Sequence, residues 1–211
     1  MQMQNDLYEF ENYFWNKGYE SIAGVDEVGR GPLAGPLVCA AVIIDKHNKI
    51  SGLNDSKKLS PKKREFFFDV ILQYSTAVAV SVIDESVIET LNIYHASKYG
   101  MMQAVSLLSV KPDFVLSDAM KFDDLKIPYK SIIKGDQKSA SIAAASIIAK
   151  VIRDNIMFFY HKKYPQYDFI HNVGYPTKKH LLALKKYGII PIHRKNYAPV
   201  KKIVENEKYY T

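Results

Sequence analysis

Two adjacent carboxylates, Asp26 and Glu27, lie at the end of an apolar, strand-like segment, and the tripeptide Gly29-Arg30-Gly31 follows closely. Carboxylate oxygens are hard ligands that suit Mg²⁺ or Mn²⁺. An arginine between two glycines allows the backbone and the guanidinium group to approach a phosphodiester closely. Metal ligands and phosphate-binding groups only a few residues apart predict metal-assisted phosphodiester chemistry.

Two further acids lie where ligand sites commonly form. Asp118 follows a short apolar strand, and Asp136 lies just before a predicted helix that begins at Ser139. Ligands often bind at strand ends in open α/β sheets, and we expect the positive end of the helix to keep the Asp136 carboxylate ionised. Because Asp26 and Glu27 would face opposite sides of a regular strand, we expect that strand to end there. Considered singly, each acid has the alternative interpretation of a solvated surface charge.

The segment Asp26–Gly31 resembles the signature of ribonuclease HII, the type 2 ribonuclease H family. Other segments resemble family motifs and follow in the family order, so the resemblance extends over residues 21–202. These segments are Asp55–Leu59, Ser117–Ala119, Lys134–Asp136, Ala143–Lys150, Gly174–Thr177 and His193–Val200.

The resemblance implies an endoribonuclease that hydrolyses the RNA strand of RNA–DNA hybrids and nicks duplex DNA on the 5′ side of embedded ribonucleotides, leaving 3′-hydroxyl and 5′-phosphate ends. The implied partners are an RNA–DNA hybrid duplex and a DNA duplex containing ribonucleotides, and the implied processes are ribonucleotide excision repair and DNA replication. A two-metal mechanism with Mn²⁺ or Mg²⁺ is also implied, in which one ion activates water and the other stabilises the leaving oxygen. The four implied catalytic residues and metal ligands are Asp26, Glu27, Asp118 and Asp136.

Three segments are candidates for substrate binding. Reading a ribose 2′-hydroxyl needs close backbone approach or a placed polar side chain; Gly29, Arg30 and Gly31 supply the first, although such a triplet alone would suggest an ordinary loop. Tyr175 matches the family tyrosine that senses an RNA-to-DNA junction, with a ring for packing and a hydroxyl for hydrogen bonding. Lys57 lies in a segment that resembles the family's phosphate-contacting loop.

Other polar residues have simpler interpretations. Ser139, Ser141 and Ser146 could donate to phosphates or could cap and pack a helix, and capping is the better explanation for Ser139. Asp154 fits a helical or surface ion pair. The six histidines show no metal-ligand spacing, so a zinc site is not expected.

The elements that must position these residues are two initial strands followed by alternating helices and strands. Apolar, β-branched runs predict strands over residues 21–26, 35–44, 77–83, 114–117 and 129–133. Start signals predict helices over residues 60–74, 92–108, 139–164 and 177–187. This pattern indicates an α/β protein with a helical, basic C-terminal extension, and the resemblance implies a ribonuclease H-like fold with a mixed five-stranded sheet flanked by helices. We expect a single catalytic domain over residues 1–211, in which the extension begins at about residue 171.

The net charge is concentrated at one end of the chain. The formal net charge is +7, and residues 171–211 hold nine basic residues and two acids, whereas bases and acids balance in the rest. A basic segment on a neutral body is expected of a polyanion-binding surface. From charge alone, a merely solvated lysine-rich face is an equally good interpretation.

Composition excludes several classes of protein. The chain has 211 residues, of which 47% are hydrophobic, so a globular protein is expected rather than a disordered one. No apolar run reaches the ~18 residues needed to span a membrane, and the first eight residues lack the basic and apolar regions of a secretory signal. The single cysteine, Cys39, excludes a disulfide framework, is expected to be a small buried hydrophobe, and indicates a cytoplasmic protein.

Two other interpretations compete with ribonuclease HII. The sister family, ribonuclease HIII, usually lacks the arginine between the glycines and has an additional N-terminal domain, whereas Arg30 is present and about twenty residues precede the first predicted strand. A non-catalytic nucleic-acid-binding protein would explain the basic segment but not four intact candidate ligands. No motif for a protein partner is evident, and a monomer is expected.

Overall fold

The centre of the fold is a mixed five-stranded sheet, seen in a computed structural model that describes residues 7–207. Its strands are β1 (Ile22–Val28), β2 (Leu37–Ile44), β3 (Ser75–Ile83), β4 (Phe114–Asp118) and β5 (Tyr129–Ile132). They lie in the order β3-β2-β1-β4-β5. The first three strands pair antiparallel, whereas β4 pairs parallel with both β1 and β5. The predicted strands and the mixed sheet are confirmed.

Helices flank this sheet on both sides. In the described part of the chain they are α1 (Glu9–Trp15), α2 (Pro61–Tyr74), α3 (Glu85–Ser106), α4 (Ala140–Lys163), α5 (Phe169–Asn172), α6 (Lys178–Tyr187) and α7 (Ala198–Glu207). Ser60, Ser139 and Thr177 each accept a hydrogen bond from the backbone N–H three residues later, as expected of residues at which helices begin. None of the helices within residues 7–207 is long and apolar enough to cross a membrane.

Helix α3 contains a break that agrees with the predicted helix start. Asn92 has φ 63° and ψ 166°, outside the helical region. Its side-chain oxygen accepts hydrogen bonds from the backbone N–H groups of Tyr94 (3.0 Å) and His95 (3.2 Å), so Asn92 caps the second half of α3. Asp84 occupies the N-cap position of the first half, but its side chain makes no capping hydrogen bond.

The two faces of the sheet are covered by different helices. Val25 of β1 packs in one core cluster with Met101 of α3, and Ala40 of β2 packs in another with Ile148 of α4. Residues of α2 also pack in this second cluster, on the same side of the sheet as α4. The sheet is therefore buried on both faces, as expected where strands read as continuous apolar runs.

Helix α4 begins directly against β1. A Cβ atom at Gly24 would lie 2.1 Å from the carbonyl carbon of Ser141, so no other residue fits at this strand position. The contact places the first turn of α4 beside the strand two residues before Asp26.

A third apolar cluster joins the C-terminal helices to the loop that follows β1. Leu33 of that loop packs with Met157 of α4, Leu184 of α6 and Val200 of α7. The predicted helical extension is thus docked beside the glycine–arginine–glycine segment. One of its nine basic residues, Arg194, is fully buried, so the basic surface is smaller than the charge count suggests.

Candidate active site

Strand register brings Asp26 and Asp118 together. Strands β1 and β4 are parallel, and their last registered pair is Val25 with Ser117. Asp26 and Asp118 occupy the next position on each strand, so they lie on the same face of the sheet on neighbouring strands, which are ~4.8 Å apart. Asp26 is only 5% exposed.

Glu27 reaches this region for a reason other than the predicted one. We expected β1 to end at Asp26 and Glu27, and this is wrong: β1 continues to Val28, and Glu27 pairs with Cys39 of β2. It is the neighbouring strand β4 that ends, at Asp118. Beyond that point one edge of β1 is open, and Glu27 interacts electrostatically with both Asp26 and Asp118.

Asp136 joins the acids from a short 3₁₀ turn, Gly135–Gln137. The turn is held next to β4 because Asp118 Oδ1 accepts a hydrogen bond of 2.7 Å from the Gly135 backbone N–H. The Asp136 side chain is buried, and its pKa is raised by burial first and then by the charges of Asp118 and Asp55. We expected the α4 N-terminus to favour the ionised carboxylate, and the direction of this pKa shift is the opposite.

Another carboxylate occupies the α4 N-terminus. Glu11 of α1 is fully buried, and its Oε1 accepts hydrogen bonds from Ser139 Oγ (2.5 Å), Ser141 Oγ (2.6 Å) and the Ser141 backbone N–H (2.9 Å). A carboxylate at this end of a helix interacts favourably with the helix dipole. Ser139 and Ser141 therefore face the protein interior rather than a bound phosphate.

The four predicted acids form one electrostatically coupled cluster. Desolvation raises the pKa of Asp26 well above its ordinary value, and the neighbouring acids add to this. Desolvation also raises the pKa of Glu27 to about 7, although Arg30 opposes it. These shifts mean that the cluster resists full ionisation, because like charges are crowded where water is scarce. An added cation would relieve this repulsion.

Two basic side chains already approach the acids. Arg30 Nη1 lies 3.2 Å from Glu27 Oε1, and Lys57 Nζ lies 3.9 Å from Asp136 Oδ2. Partial desolvation lowers the pKa of Lys57, but the attraction of four carboxylates outweighs it and raises the pKa above its ordinary value. The four are Asp136, Asp26, Asp55 and Asp118.

The donor set fits a hard divalent cation. Carboxylate oxygens converge from two strands and one turn, and the buried Oε2 of Glu27 has no hydrogen-bond partner among the described residues. Within residues 7–207, however, no group of three or more acidic, histidine or cysteine side chains is arranged so that it could hold a metal ion as it stands. The chemistry of the donors fits a divalent cation, and their arrangement here does not form a closed site.

Strained backbone is found beside the candidate site residues. Ala119, which follows Asp118, has φ 51°, and Lys134, two residues before Asp136, has φ 57°. Val173, two residues before Tyr175, has φ 43°. Left-handed conformations are costly for such residues, by about 1–3 kcal/mol, and they persist only where the surrounding contacts enforce them.

Gly29 has a structural requirement of its own. Its φ is +110°, and a Cβ there would lie 2.3 Å from Nε of Arg153. Gly31 is different, because a Cβ there would meet only the Tyr175 ring, 3.2 Å from Cε1. The Tyr175 ring, which is 44% exposed, thus lies over Gly31. The structure brings these two predicted substrate-binding positions into contact.

Two fully buried arginines hold the loop that contains Arg30. Arg194 donates to the backbone carbonyl oxygens of Gly35 (2.7 and 3.0 Å) and Arg30 (3.1 Å). Arg153 donates to the carbonyl oxygens of Ala34, Pro36 and Val173 at 2.9–3.2 Å. Neither forms an ion pair with an acid of residues 7–207. Burial lowers the pKa of Arg153 to about 10, so its charge persists at neutral pH.

Sequence reasoning missed Asp55 and did not connect Ser146 with the acids. Asp55 is buried beside Asp136, accepts hydrogen bonds from the Lys57 backbone N–H (2.9 Å) and Gln137 Nε2 (3.2 Å), and so orders the turn and the lysine together. Ser146 of α4 is buried and hydrogen-bonds with Asp26. Both lie in segments that carried the family resemblance, which was the available signal.

Two simpler predictions are confirmed. Asp154 pairs with Lys150 at 2.7 Å, one helical turn away on α4. Cys39 is a buried free thiol.

Comparison with known proteins agrees with the resemblance seen in the sequence. The model of a family described as Ribonuclease HII matches residues 23–200. The chain is 51% identical to the Ribonuclease HII of Enterococcus faecalis over 203 residues, which covers 96% of this chain and 79% of the relative. It is 52% identical to the Ribonuclease HII of Acholeplasma laidlawii over 204 residues, which covers 96% of this chain and all of the relative.

Solved structures show the same architecture. The ribonuclease H2 of Pyrococcus horikoshii OT3 matches with a TM-score of 0.77 and 29% identity, over 89% of this chain and 99% of that chain. The RNase HII in the PCNA:RNase HII complex from Archaeoglobus fulgidus matches with a TM-score of 0.71 and 25% identity, over 84% of this chain and 95% of that chain. Because that relative assembles with another protein, the expectation that this chain has no protein partner gains no support.

Glu27→Gln should reduce the pH dependence of stability. The raised pKa means that the folded protein binds more protons than the unfolded chain between the ordinary pKa of 4.5 and about 7, so the free energy of unfolding falls as the pH rises through this window. The effect of Glu27 is at most on the order of 3 kcal/mol, at ~1.4 kcal/mol per pKa unit. Denaturant titrations in chelator from about pH 4 to pH 8 should give a flatter curve for the variant. Glu65→Gln, which changes an exposed glutamate on α2, should follow the wild-type curve. A Glu27→Gln curve parallel to the wild-type curve would contradict a raised pKa of Glu27 in the folded protein.

Proposed function

The chain belongs to the ribonuclease HII family and is a nuclease. On this premise, we propose that it hydrolyses the RNA strand of RNA–DNA hybrids. We also propose that it nicks duplex DNA on the 5′ side of an embedded ribonucleotide. The products of this reaction are 3′-hydroxyl and 5′-phosphate ends. The observation that carries the proposal is the cluster of Asp26, Glu27, Asp118 and Asp136 next to a loop that presents Arg30, in which Asp26 and Asp136 are buried and neighbouring acids raise pKa values within the cluster. This activity would place the protein in ribonucleotide excision repair and DNA replication.

The four acids are proposed as catalytic residues and metal ligands. Bound Mn²⁺ or Mg²⁺ would supply an activated water and stabilise charge on the leaving oxygen. The contribution of the protein is to hold carboxylates on adjacent strand ends and on a turn fixed to β4 through Gly135. Asp55 and Ser146 orient members of the cluster by hydrogen bonds from outside it.

Substrate binding is assigned to the surface around Arg30. The guanidinium group of Arg30 is partly exposed and its carbonyl oxygen is fixed by Arg194, so the peptide groups of Gly29, Arg30 and Gly31 are held for close approach to a ribose. The exposed face of the Tyr175 ring would pack on the sugar next to the ribonucleotide. Lys57, largely exposed beside the acids, would contact the adjacent phosphate.

The cellular setting is also proposed. The buried, unpaired thiol of Cys39 supports a reducing compartment, the cytoplasm. Action as a monomer stays a prediction. The duplex substrates are the proposed partners. The proposed docking site for their phosphates is the basic surface of α6, formed by Lys178, Lys179, Lys185 and Lys186.

The first experiment tests metal-dependent nicking. Wild-type protein is incubated with a DNA duplex containing one ribonucleotide, and cleavage should stop in excess chelator and return with Mn²⁺ or Mg²⁺. Asp118→Asn should lower turnover by several orders of magnitude and leave duplex binding, because the variant loses a ligand charge while its oxygen can still accept from Gly135. Asp154→Asn, which changes an ion-paired acid on α4, is the matched control and should cut normally. Full cleavage in chelator, or normal turnover by Asp118→Asn, would defeat this part of the proposal.

The second experiment tests Tyr175. Tyr175→Ala removes the ring over Gly31 and should reduce cleavage at a lone ribonucleotide by roughly 10- to 100-fold, the value of one stacking contact. Tyr175→Phe keeps the ring and shows what the hydroxyl adds. Tyr99→Ala, on the exposed face of α3, removes an equally exposed ring and should have no effect. Wild-type rates for both Tyr175 variants would show that Tyr175 does not sense the junction.

The third experiment tests the basic surface of α6. Lys178, Lys179, Lys185 and Lys186 are exposed in the first and last turns of this helix. Changing all four to Gln should weaken duplex binding regardless of sequence and lower its salt slope by roughly one unit per lost phosphate contact. Turnover at saturating substrate should change much less.

The matched control for this experiment removes the same charge elsewhere. It changes four exposed lysines around β4 and β5, which are Lys111, Lys121, Lys126 and Lys130. Binding titrations across a salt series compare the two quadruple variants with wild type. If the α6 variant keeps the wild-type affinity and slope, its lysines are only a solvated face.

A further inference from the structure

Two buried histidines form a hydrogen-bonded pair behind Tyr175. His180 lies in the first turn of α6, and His193 lies in the segment between α6 and α7. Their Nε2 atoms are 3.1 Å apart, and both side chains are fully buried. Rings of Tyr167 and Phe169 pack around them with centroids 5.1–6.2 Å away. Nothing in the catalytic proposal uses this pair.

The hydrogen bonds determine which tautomer each ring must adopt. The Ile190 backbone N–H donates to His193 Nδ1 at 2.9 Å, so a neutral His193 carries its hydrogen on Nε2. That hydrogen is donated to His180 Nε2, so His180 carries its own hydrogen on Nδ1. His180 Nδ1 in turn donates to the carbonyl oxygen of Tyr175 at 2.9 Å. One set of tautomers satisfies all three contacts, and the chain of donors runs from Ile190 to Tyr175.

Both rings must be neutral for this chain to exist. A hydrogen on each of the facing Nε2 atoms would set two donors against each other. Burial lowers the pKa of His180, and burial followed by the neighbouring His180 lowers the pKa of His193 to about 4. The neutral pair is therefore the form expected at neutral pH.

The chain ends on a peptide that is fixed from several sides. The Tyr175 carbonyl oxygen also accepts from the Thr177 backbone N–H at 2.8 Å. The preceding carbonyl, of Gly174, accepts from the Leu33 backbone N–H at 2.8 Å. The strained conformation of Val173 shows that the unaided backbone would not keep this path. The position of the Tyr175 ring over Gly31 depends on these contacts because they fix the two peptide groups on either side of the Tyr175 Cα, from which the side chain branches.

The next residue after His193 acts on the other side of the same surface. Arg194 holds the carbonyl oxygen of Arg30, and its backbone N–H donates to the carbonyl oxygen of Leu33 at 2.9 Å. The dipeptide His193-Arg194 thus contacts, directly or through His180, both the loop that carries Gly31 and the peptide that carries Tyr175. His193 and Arg194 therefore help to fix the distance between Gly31 and Tyr175 from the buried side of this surface.

We propose that His180 and His193 are positioning residues that hold the Tyr175 ring over Gly31 and thereby set the preference for a lone ribonucleotide over a continuous RNA–DNA hybrid. This inference rests on the proposed role of Tyr175. The histidines touch neither substrate nor metal and act through the Tyr175 carbonyl. Their loss should affect the substrate that depends on the junction contact and spare the hybrid, which binds along a longer surface.

Two conservative variants of His180 separate positioning from packing. An asparagine amide reaches the place of Nδ1, so His180→Asn can still donate to Tyr175. A glutamine amide reaches the place of Nε2, so His180→Gln can meet His193 but leaves the Tyr175 carbonyl without this donor. Both variants remove the same ring, and His47→Asn, at an exposed histidine, is the control for the substitution itself.

The activity measurement is the ratio of kcat/KM for a lone-ribonucleotide duplex to kcat/KM for a continuous hybrid. His180→Gln should lower this ratio about tenfold, the effect of one lost hydrogen bond, while His180→Asn stays within about threefold of wild type. Thermal unfolding checks that each variant is folded. A folded His180→Gln with the wild-type ratio, or with equal losses on both substrates, would overturn the inference.

A second measurement needs neither activity nor variants. ¹⁵N NMR of the histidine rings in wild-type protein at neutral pH should show His193 protonated at Nε2 and His180 at Nδ1. The opposite tautomers, or a charged ring, would overturn the inference. If wild type cuts neither substrate, the proposed function fails instead, and the NMR result still decides whether the hydrogen-bond chain exists.

Discussion

The arrangement of the site depends on two buried positive charges that have no acidic partner within the described residues. Burying a guanidinium group without hydrogen-bond partners costs several kcal/mol. Arg153 and Arg194 offset this cost by donating to backbone carbonyl oxygens between Arg30 and Pro36 and at Val173, and Arg194 also donates to the Tyr197 hydroxyl. Movement of this loop would therefore leave the guanidinium group of Arg153 or Arg194 buried without its hydrogen-bond partners. A stretch rich in glycine and proline is thereby held at several of its backbone carbonyl groups.

The opposite problem exists a few residues away. The acid cluster holds negative charges where burial disfavours them, and the raised pKa values of Asp26, Glu27 and Asp136 record that cost. Arg30 and Lys57 offset part of it from the solvent side. The protein thus keeps permanent positive charge under the loop that contains Arg30 and incompletely neutralised negative charge beside it. Such a surface favours a polyanion at one point and a divalent cation at the other.

Local sequence signals predicted the elements well because they act within a few residues. Ser60, Ser139 and Thr177 cap helices through their own neighbours, and apolar runs need no distant partner to favour strands. The errors arose where distant segments decide. The edge of β1 beside Glu27 is open because β4 ends at Asp118, and residues 26 and 27 carry no signal for where β4 ends. The N-terminus of α4, which was expected to act on Asp136, is occupied by Glu11, more than a hundred residues earlier in the chain. Asp55 was passed over because its burial follows from tertiary packing.

Cys39 pairs with Glu27 across β1 and β2, and its thiol can report how often the protein opens locally near the acids. Cys39 is the only cysteine in the sequence, is fully buried on β2, and has a pKa raised by burial and by the two adjacent acids. Its Sγ lies against α3, 3.8 Å from the Ser97 carbonyl oxygen, so a thiol reagent can modify it only when α3 and the sheet separate locally. The rate of modification in native protein therefore measures how often this part of the core opens. Comparing that rate with and without divalent cation would show whether the cation stabilises the core behind the acids, with no mutation.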